Sequence, residues 1–323
     1  MYILISVMAA ISMTDMAKKE HKRWGKKFVD ERDWPKYNGQ LVKRGEFYLD
    51  LDWVKSWDED LYRMNKNKMG RPFEFPDSLI QLQTLWYNKN IPVRMIEGIT
   101  KRLCDMAQIP RYNDYTTINR RINNLDFHLD VPAEDIAAIF CDGSGFQAIV
   151  GGEYLREKYG KKNRRWVQVV LFGDPKTKNI VSFEVNIVST SEVESARRQL
   201  KILTDDEAEI SSFGGDGAFD DIGLWQYLEK NKIKSVIKPD LNAREDSICH
   251  LRNRFVKERN KVGYQEWAHR HKYGMRWPAT EGIFSALKRI FGEQLRARSE
   301  VGLLQETKSK LWAYHTIKNY GET

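Results

Sequence analysis

Residues 166–188 read WVQVVLFGDPKTKNIVSFEVNIV, and this stretch decides the fold class. Its two runs of β-branched and aromatic residues, 166–172 and 180–188, are typical of strands, and Pro175 between them predicts a turn. Together the two runs predict an antiparallel hairpin.

The sequence on both sides of this hairpin extends the pattern. A short apolar run at 136–141 precedes it, and the residues after it predict a helix over 192–203, a strand over 210–215, a helix capped by Asp220 or Asp221 and a strand over 235–238. The order of three strands, helix, strand, helix, strand predicts an α/β fold, with a mixed sheet that carries helices on its faces.

Composition limits the functional classes. The chain is 41% hydrophobic and 30% charged, and this composition excludes wholesale disorder. Its length of 323 residues suggests about two domains. A formal net charge of +8 favours a polyanionic partner, either nucleic acid or an anionic membrane surface, and charge alone does not choose between them. Three distant cysteines without C-x-x-C spacing fit a reducing cytoplasm.

The amino-terminal residues carry one apolar run, 2–11, that is too short to span a bilayer and has no basic residue before it. We therefore expect no membrane anchor. Met13 and Met16 stand just before a basic polar stretch, so residues 1–16 are interpreted as an extraneous or disordered start.

Residues 17–130 are predicted to form a mainly helical DNA-binding region. Asp77 can cap a first helix, Pro92 opens a second, and Thr116 or Thr117 can cap a third. The third helix buries a stripe at i, i+4 and i+7 and leaves polar side chains outward, namely Asn119, Arg120, Arg121, Asn123 and Asn124. Arg and Asn read base edges and phosphates, but the connection over 107–115 is longer than in a helix-turn-helix. DNA contact and a plain solvated face both remain open.

Two aspartates follow strands beside glycine: Asp142 in DGSG and Asp216 in GGDGAFD. Such carboxylates can face a cleft, and the neighbouring glycine lets a ligand approach the backbone. Asp-Gly is also a common tight-turn pair, so each site taken alone has two interpretations.

The helix that begins near Pro278 has two distinct sides. Glu281 and Lys288 lie two turns apart on its polar side, opposite an apolar stripe that includes Ile283 and Leu287. A helix packed by this stripe can direct both side chains toward a cleft, although an ordinary amphipathic surface helix has the same pattern.

Several motifs together resemble a known family. The spacing of Tyr273, Arg276, Glu281 and Lys288 resembles the Y-R-E-K signature of DDE-type insertion-sequence transposases of the IS-four and IS-five group, with four residues instead of three between Arg276 and Glu281. Four further stretches look like such a transposase: LVKRGEFYLDLDWV, DYTTINRRINNLD, GEYLREKYGKK and EGIFSALKRIFGE. The resemblance covers most of residues 20–315.

The resemblance implies a ribonuclease-H-like catalytic core over 131–292, with a basic insertion at about 239–272 and a C-terminal helix over 293–323. It implies that Asp142, Asp216 and Glu281 bind two Mg²⁺ or Mn²⁺ ions, which suit oxygen donors. The implied reaction cuts the ends of the element and joins their 3′-hydroxyls to target DNA. Tyr273, Arg276 and Lys288 would hold terminal phosphates.

The resemblance also implies the biological setting of this reaction. The partners would be double-stranded DNA with terminal inverted repeats and a target duplex, bound by a homodimer at the prokaryotic nucleoid.

Basic segments supply further DNA-binding candidates. Lys158, Lys161, Lys162, Arg164 and Arg165 follow the first catalytic strand, and the basic stretch 239–272 precedes Glu281. Trp267 and Trp277 can stack on an unpaired base, but core packing is the commoner role of such residues.

Other site chemistries are less favoured. His269-Arg270-His271 has no second ligand pair for zinc, and no G-x-x-x-x-G-K-[ST] loop for ATP occurs. Two alternatives to a transposase remain: a catalytically inactive or repurposed DNA-binding protein, and a nuclease of the same fold that cuts DNA without joining it.

Overall fold

The computed structural model describes residues 32–129, 131, 138–148, 166–187 and 190–321. The predicted extraneous start at 1–16 and the basic residues Lys158, Lys161, Lys162, Arg164 and Arg165 lie outside these residues. The chain divides into two compact units, residues 1–39 and residues 40–323. In the first unit, the ring of Trp34 meets that of Tyr37 edge-on with centroids 5.8 Å apart.

The helices before the sheet are α1 (Trp34–Glu46), α2 (Trp57–Asn65), α3 (Asp77–Asn88), α4 (Val93–Asp105) and α5 (Tyr115–Asn124). Pro92 immediately precedes α4, as predicted. The predicted caps of the other two helices are wrong. Pro76 holds the cap position of α3 and Asp77 is its first helical residue, while Asp114 caps α5 by accepting the amides of Thr116 and Thr117.

The strands are β1 (Ala138–Ala148), β2 (Trp166–Gly173), β3 (Ile180–Asn186), β4 (Ser212–Gly215), β5 (Lys234–Ile237) and β6 (Gln294–Leu295). Helix α6 (Glu192–Asp205) follows β3, and α7 (Ile222–Lys230), capped by Asp221, lies between β4 and β5. The sheet order is β3-β2-β1-β4-β5, with β6 paired to β1. Strands β1, β2 and β3 are antiparallel, and β4 and β5 run parallel to β1. This is the mixed sheet that the sequence predicts, and it agrees with the ribonuclease-H-like core that the resemblance implies.

The β2–β3 turn has a local cause. Both carboxylate oxygens of Asp174 accept backbone amides, from Lys176 at 2.8 Å and from Thr177 at 3.1 Å. The turn closes where the amide of Lys178, which has a positive φ of 60°, donates to the Asp174 carbonyl. The aspartate therefore stabilises the turn between the two strands.

The remaining helices are α8 (His250–Val262), α9 (Tyr264–Arg270), α10 (Arg276–Ala279), α11 (Glu281–Phe291) and α12 (Glu300–Tyr320). No helix in the described part of the chain is long and apolar enough to cross a membrane.

The two faces of the sheet are covered by different helices. On one face, Val169 and Leu171 of β2 belong to a core that also contains buried side chains of α3, α4, α5, α11 and α12. On the other face, Val170 and Phe172 pack in a core with α6 and α7. The helices before the sheet thus share one core with it, while the predicted boundaries at 130 and 292 stay predictions.

Candidate active site

Asp142 lies inside β1 and not after it, because β1 continues to Ala148 and remains paired with β2 throughout. Its side chain projects on the same face as Phe140 and Phe146, since side chains alternate along a strand. One carboxylate oxygen accepts the amide of Gly143 at 2.9 Å. A Cβ at position 143 would overlap the carboxylate of Glu192, the first residue of α6, so the end of this glutamate side chain lies directly against the strand.

Asp216 directly follows β4, which pairs in parallel with β1. Phe140 is the register partner of Gly214, so two residues further along each strand Asp142 and Asp216 are neighbours on one face. The Asp216 carboxylate accepts the amide of Ala218 at 2.9 Å and caps the short 3₁₀ turn Gly217–Phe219. The first two predicted carboxylates are near enough for the negative charge of Asp216 to raise the pKa of Asp142.

Arg276 connects Asp142 to the third carboxylate. One guanidinium nitrogen is 2.5 Å from Oε1 of Glu281, the first residue of α11, and another is 3.3 Å from Oδ2 of Asp142. The side chains of Arg276 and Asp142 are 19% and 17% exposed, so this pair is shielded from water, whereas the Glu281 side chain is 45% exposed. The four-residue spacing between Arg276 and Glu281 is thus compatible with direct contact.

Gly173 explains how α10 reaches the sheet. A Cβ at this position in β2 would overlap the backbone carbonyl of Ala279, the last residue of α10. Because glycine leaves that space open, α10 can lie directly against the strand. This close approach holds Arg276 over β1.

The charge balance at Asp142 is unfavourable to its ionised form. Burial raises the pKa of the Asp142 carboxyl, Arg276 opposes this effect, and the negative charges of Asp216 and Glu281 raise the pKa further, to about 6. The group of carboxylates therefore requires positive charge, and in this arrangement Arg276 supplies it.

Asp142, Glu281 and Lys288 line one open cleft of about 590 Å³. The Lys288 ammonium is 3.8 Å from a carboxylate oxygen of Glu293, too far for a hydrogen bond, and 5.9 Å from the Phe146 ring. Sequence reasoning missed Arg289, which also lines the cleft. The signal was available, because Arg289 lies on the same polar side of α11 as Glu281 and Lys288.

Tyr273 is buried, and Arg276 lies 5.8 Å from its ring centroid. The ring belongs to an apolar cluster with Trp267 and Phe140. Trp267 is fully buried, so the structure places it in the core and does not leave its face open to a base. Trp277 is 45% exposed and keeps an accessible ring.

The predicted outward position of Arg121 is wrong. Arg121 is 9% exposed and donates to the Phe75 carbonyl at 3.0 Å and to Asp77 at 2.5 Å. These bonds make it a structural link between α5 and the start of α3. Arg120 is exposed as predicted and lines a separate cleft of about 820 Å³.

Much of the charge in the basic segment 239–272 is satisfied internally. Arg252 forms two hydrogen bonds of 2.7 Å with the buried carboxylate of Asp220, and Arg259 donates to the carbonyls of Pro239 and Asp240 at 2.6 Å. Arg270 pairs with Glu266. The buried Arg252 and Arg259 stabilise the fold and are not available to track a DNA backbone, whereas the pair of Arg270 lies at the surface.

The three carboxylates suit a hard divalent cation in chemistry, since all their donors are oxygens and their mutual repulsion raises the pKa of Asp142. As arranged here, no three His, Cys, Asp or Glu side chains among the described residues are close enough to hold one ion. The Arg276 guanidinium stands between two of the three. The residues therefore fit the ion, provided that Arg276 gives up its carboxylate partners.

Comparisons with known proteins give a family. A family model described as transposase DDE domain matches residues 135–315, and a second with the same description matches residues 42–150. No curated protein matches in sequence.

Three solved structures are similar in part. The piggyBac transposase synaptic complex with hairpin DNA has 10% identity and a TM-score of 0.39, covering 88% of this chain and 75% of that one. The Drosophila P element transposase strand transfer complex has 15% identity and a TM-score of 0.30, with 60% and 48% covered. The Mos1 strand transfer complex has 11% identity and a TM-score of 0.24, with 91% and 96% covered.

These TM-scores are below 0.5, so the assignment depends on the sequence models. The model for residues 135–315 spans more than half of the chain. The chain therefore belongs to the DDE transposase family, and with it to the metal-dependent DNA transferases.

Proposed function

We propose that this transposase cuts the ends of an insertion sequence and joins the resulting 3′-hydroxyls to target DNA, with Asp142, Asp216 and Glu281 as its catalytic carboxylates. One observation carries the proposal. Asp142 and Glu281 line one cleft and share the Arg276 guanidinium, and Asp216 ends the neighbouring parallel strand.

The three carboxylates would hold two Mg²⁺ or Mn²⁺ ions. When bound, such ions neutralise the phosphate under attack and activate the attacking hydroxyl or water. The role of the chain is to bring three anionic oxygen donors together and to tolerate their repulsion until cations arrive.

Arg276 and Lys288 would bind the terminal phosphates. In the present arrangement Arg276 is occupied by Asp142 and Glu281, so it becomes available for a phosphate once those carboxylates hold other cations. Its planar fork suits two phosphate oxygens, and Lys288 adds a point charge in the same cleft. Tyr273 acts as a positioning residue, because its buried ring supports the guanidinium.

The wider DNA contacts are part of the same proposal. Arg120 is the exposed candidate on α5, and Lys161, Lys162, Arg164 and Arg165 remain predictions outside the described residues. Arg121 is not part of this DNA-contacting set, because its guanidinium is bonded within the fold. Since two ends must be brought together, we propose a homodimer on DNA with terminal inverted repeats, acting at the nucleoid. The IS-four and IS-five grouping and the domain boundaries at 16, 130 and 292 stay predictions.

The test is a cleavage and joining assay with labelled duplexes that carry the inverted repeats flanking the gene, in Mg²⁺. Asp142→Asn and Asp216→Asn should each abolish cleavage while leaving duplex binding largely in place. Asp206→Asn is the matched control, because Asp206 is an exposed aspartate at the end of α6.

Each outcome separates the candidates. Binding without cleavage in the wild type indicates a repurposed DNA-binding protein, and cleavage without joining indicates a nuclease. Cleavage that survives in both aspartate variants shows that the carboxylate assignment is wrong.

A further inference from the structure

Lys238 lies at the same edge of the sheet as the two aspartates. It directly follows β5, and its amide donates to the Gly215 carbonyl of β4 at 3.2 Å. Gly215 is the register partner of Ile237, so the next residue on each strand makes Asp216 the neighbour of Lys238. Adjacent strands lie about 4.8 Å apart. The backbones of Asp142, Asp216 and Lys238 therefore form a row along three neighbouring strands.

Side-chain alternation places the three groups on one face. Lys238 shares the face of Val236, and Val236 packs in the cluster that contains Phe140 and Tyr273. Asp142 shares the face of Phe140 because it follows two residues later. The lysine thus projects toward the side of the sheet that carries the carboxylates and Arg276.

Aromatic rings link Lys238 to the catalytic cleft. The Lys238 ammonium is 5.4 Å from the ring centroid of Tyr264, and Tyr264 meets Tyr273 edge-on at 6.4 Å. Tyr273 in turn lies against Arg276. Two cations therefore stand at the two ends of a pair of tyrosine rings.

The charge of Lys238 has no acidic partner within the described part of the chain. No carboxylate oxygen there is within 4.0 Å of its ammonium. Two arginines of the following basic segment differ: Arg252 donates to the carboxylate of Asp220, and Arg259 donates to backbone carbonyls. A half-buried lysine without such a partner, on the strand next to Asp216, is suited to an anion that reaches the site from outside.

We propose that Lys238 binds a backbone phosphate of the DNA that occupies the catalytic cleft. The proposal extends the transposase function above and depends on it. A DNA strand that passes Asp142 and Asp216 along this edge of the sheet meets Lys238 next. Lysine supplies a compact point charge for one phosphate, without base specificity.

The experiment measures binding of a fluorescein-labelled 30-base-pair duplex of arbitrary sequence by anisotropy, in Ca²⁺, from 50 to 300 mM NaCl. Lys238→Gln should weaken binding about three- to tenfold at 100 mM NaCl and reduce the slope of log affinity against log salt by about 1, the loss of one phosphate contact. Lys238→Arg should restore both values.

Lys234→Gln is the matched control. Lys234 is an exposed lysine on the same face of β5, about 13 Å away at the opposite end of the strand. It should leave affinity and salt slope unchanged. Thermal unfolding of every variant checks the fold, and Lys238→Met keeps the aliphatic stem against Tyr264 if the Gln variant is unstable.

Three results overturn the inference. The first is a wild-type salt slope in both Lys238→Gln and Lys238→Met. The second is a loss of duplex affinity in Lys234→Gln that equals the loss in Lys238→Gln. The third is a failure of Lys238→Arg to restore duplex affinity. If the wild-type protein binds no duplex at all, the proposed function itself fails and this inference fails with it. The two failures are thus distinguishable.

Discussion

Asp142→Asn should stabilise the metal-free protein while it abolishes catalysis. The fold raises the pKa of the Asp142 carboxyl from 3.8 to about 6, so ionising this group in the folded state costs free energy. At about 1.4 kcal/mol per pKa unit the full cost is about 3 kcal/mol. The asparagine removes this cost, and urea unfolding in EDTA at pH 8 should show a gain of up to about 3 kcal/mol.

The stability gain of Asp142→Asn should depend on pH. A carboxyl whose pKa is raised on folding destabilises the protein above that pKa, and the penalty fades as pH falls through 6 toward 3.8. The gain should therefore shrink to about 1 kcal/mol at pH 4.5. Asp206→Asn, on the exposed end of α6, should change stability little at either pH. An Asp142→Asn protein that is less stable at pH 8, or equally stabilised at both pH values, refutes the reasoning.

Three further variants test other contacts. Arg276→Gln should lower the melting temperature in EDTA and raise Ca²⁺ affinity about tenfold, because about 1.4 kcal/mol of competing ion pairing is lost. Unchanged or weaker Ca²⁺ binding in calorimetry contradicts the contact of Arg276 with both carboxylates. Gly173→Ala should cost about 1–3 kcal/mol in urea unfolding, because its methyl group overlaps the Ala279 carbonyl, and a neutral result shows that α10 can shift freely. Lys310→Met should cost about 3–5 kcal/mol, because the buried Glu306 loses its cation and keeps only the amides of Arg296 and Ala297, whereas Lys308→Met, at a half-buried position, should cost much less. Equal losses of stability in the two variants would contradict the role of the buried pair.

The sequence predicted the order of the strands because alternation and turn residues are local signals. It misplaced the end of β1, where the glycines beside Asp142 indicate a turn. In the structure Gly143 and Gly145 continue the strand, since they pair with Val170 and Gln168 of β2. The long antiparallel partner overrides the local preference, and a single segment does not reveal its partner.

Arg121 shows a second limit of local patterns. It lies about 60° around the helix from Ile118 and so flanks the buried stripe. Whether such a flanking residue faces water depends on what packs beside it. Its partners, Phe75 and Asp77, are more than 40 residues away in the chain.

The site itself was partly predictable. The three carboxylates were predicted from motif context, but the contact of Arg276 with Asp142 and Glu281 was not, because the spacing of Arg276 and Glu281 departs from the family signature. Thr280, with φ of −128° and ψ of −73°, separates α10 from α11 and redirects the chain between the two residues. The additional residue is thus absorbed at the break between two helices.

The core that α3, α4, α5 and α12 share with the sheet limits how this chain can be divided in the laboratory. A fragment of residues 131–292 alone would lack the helices that pack on Val169, Leu171 and Leu287. It would expose a broad apolar surface to water. Such a fragment should aggregate during expression. A chimaera that exchanges the leading helices must therefore transfer their inner faces together with α12.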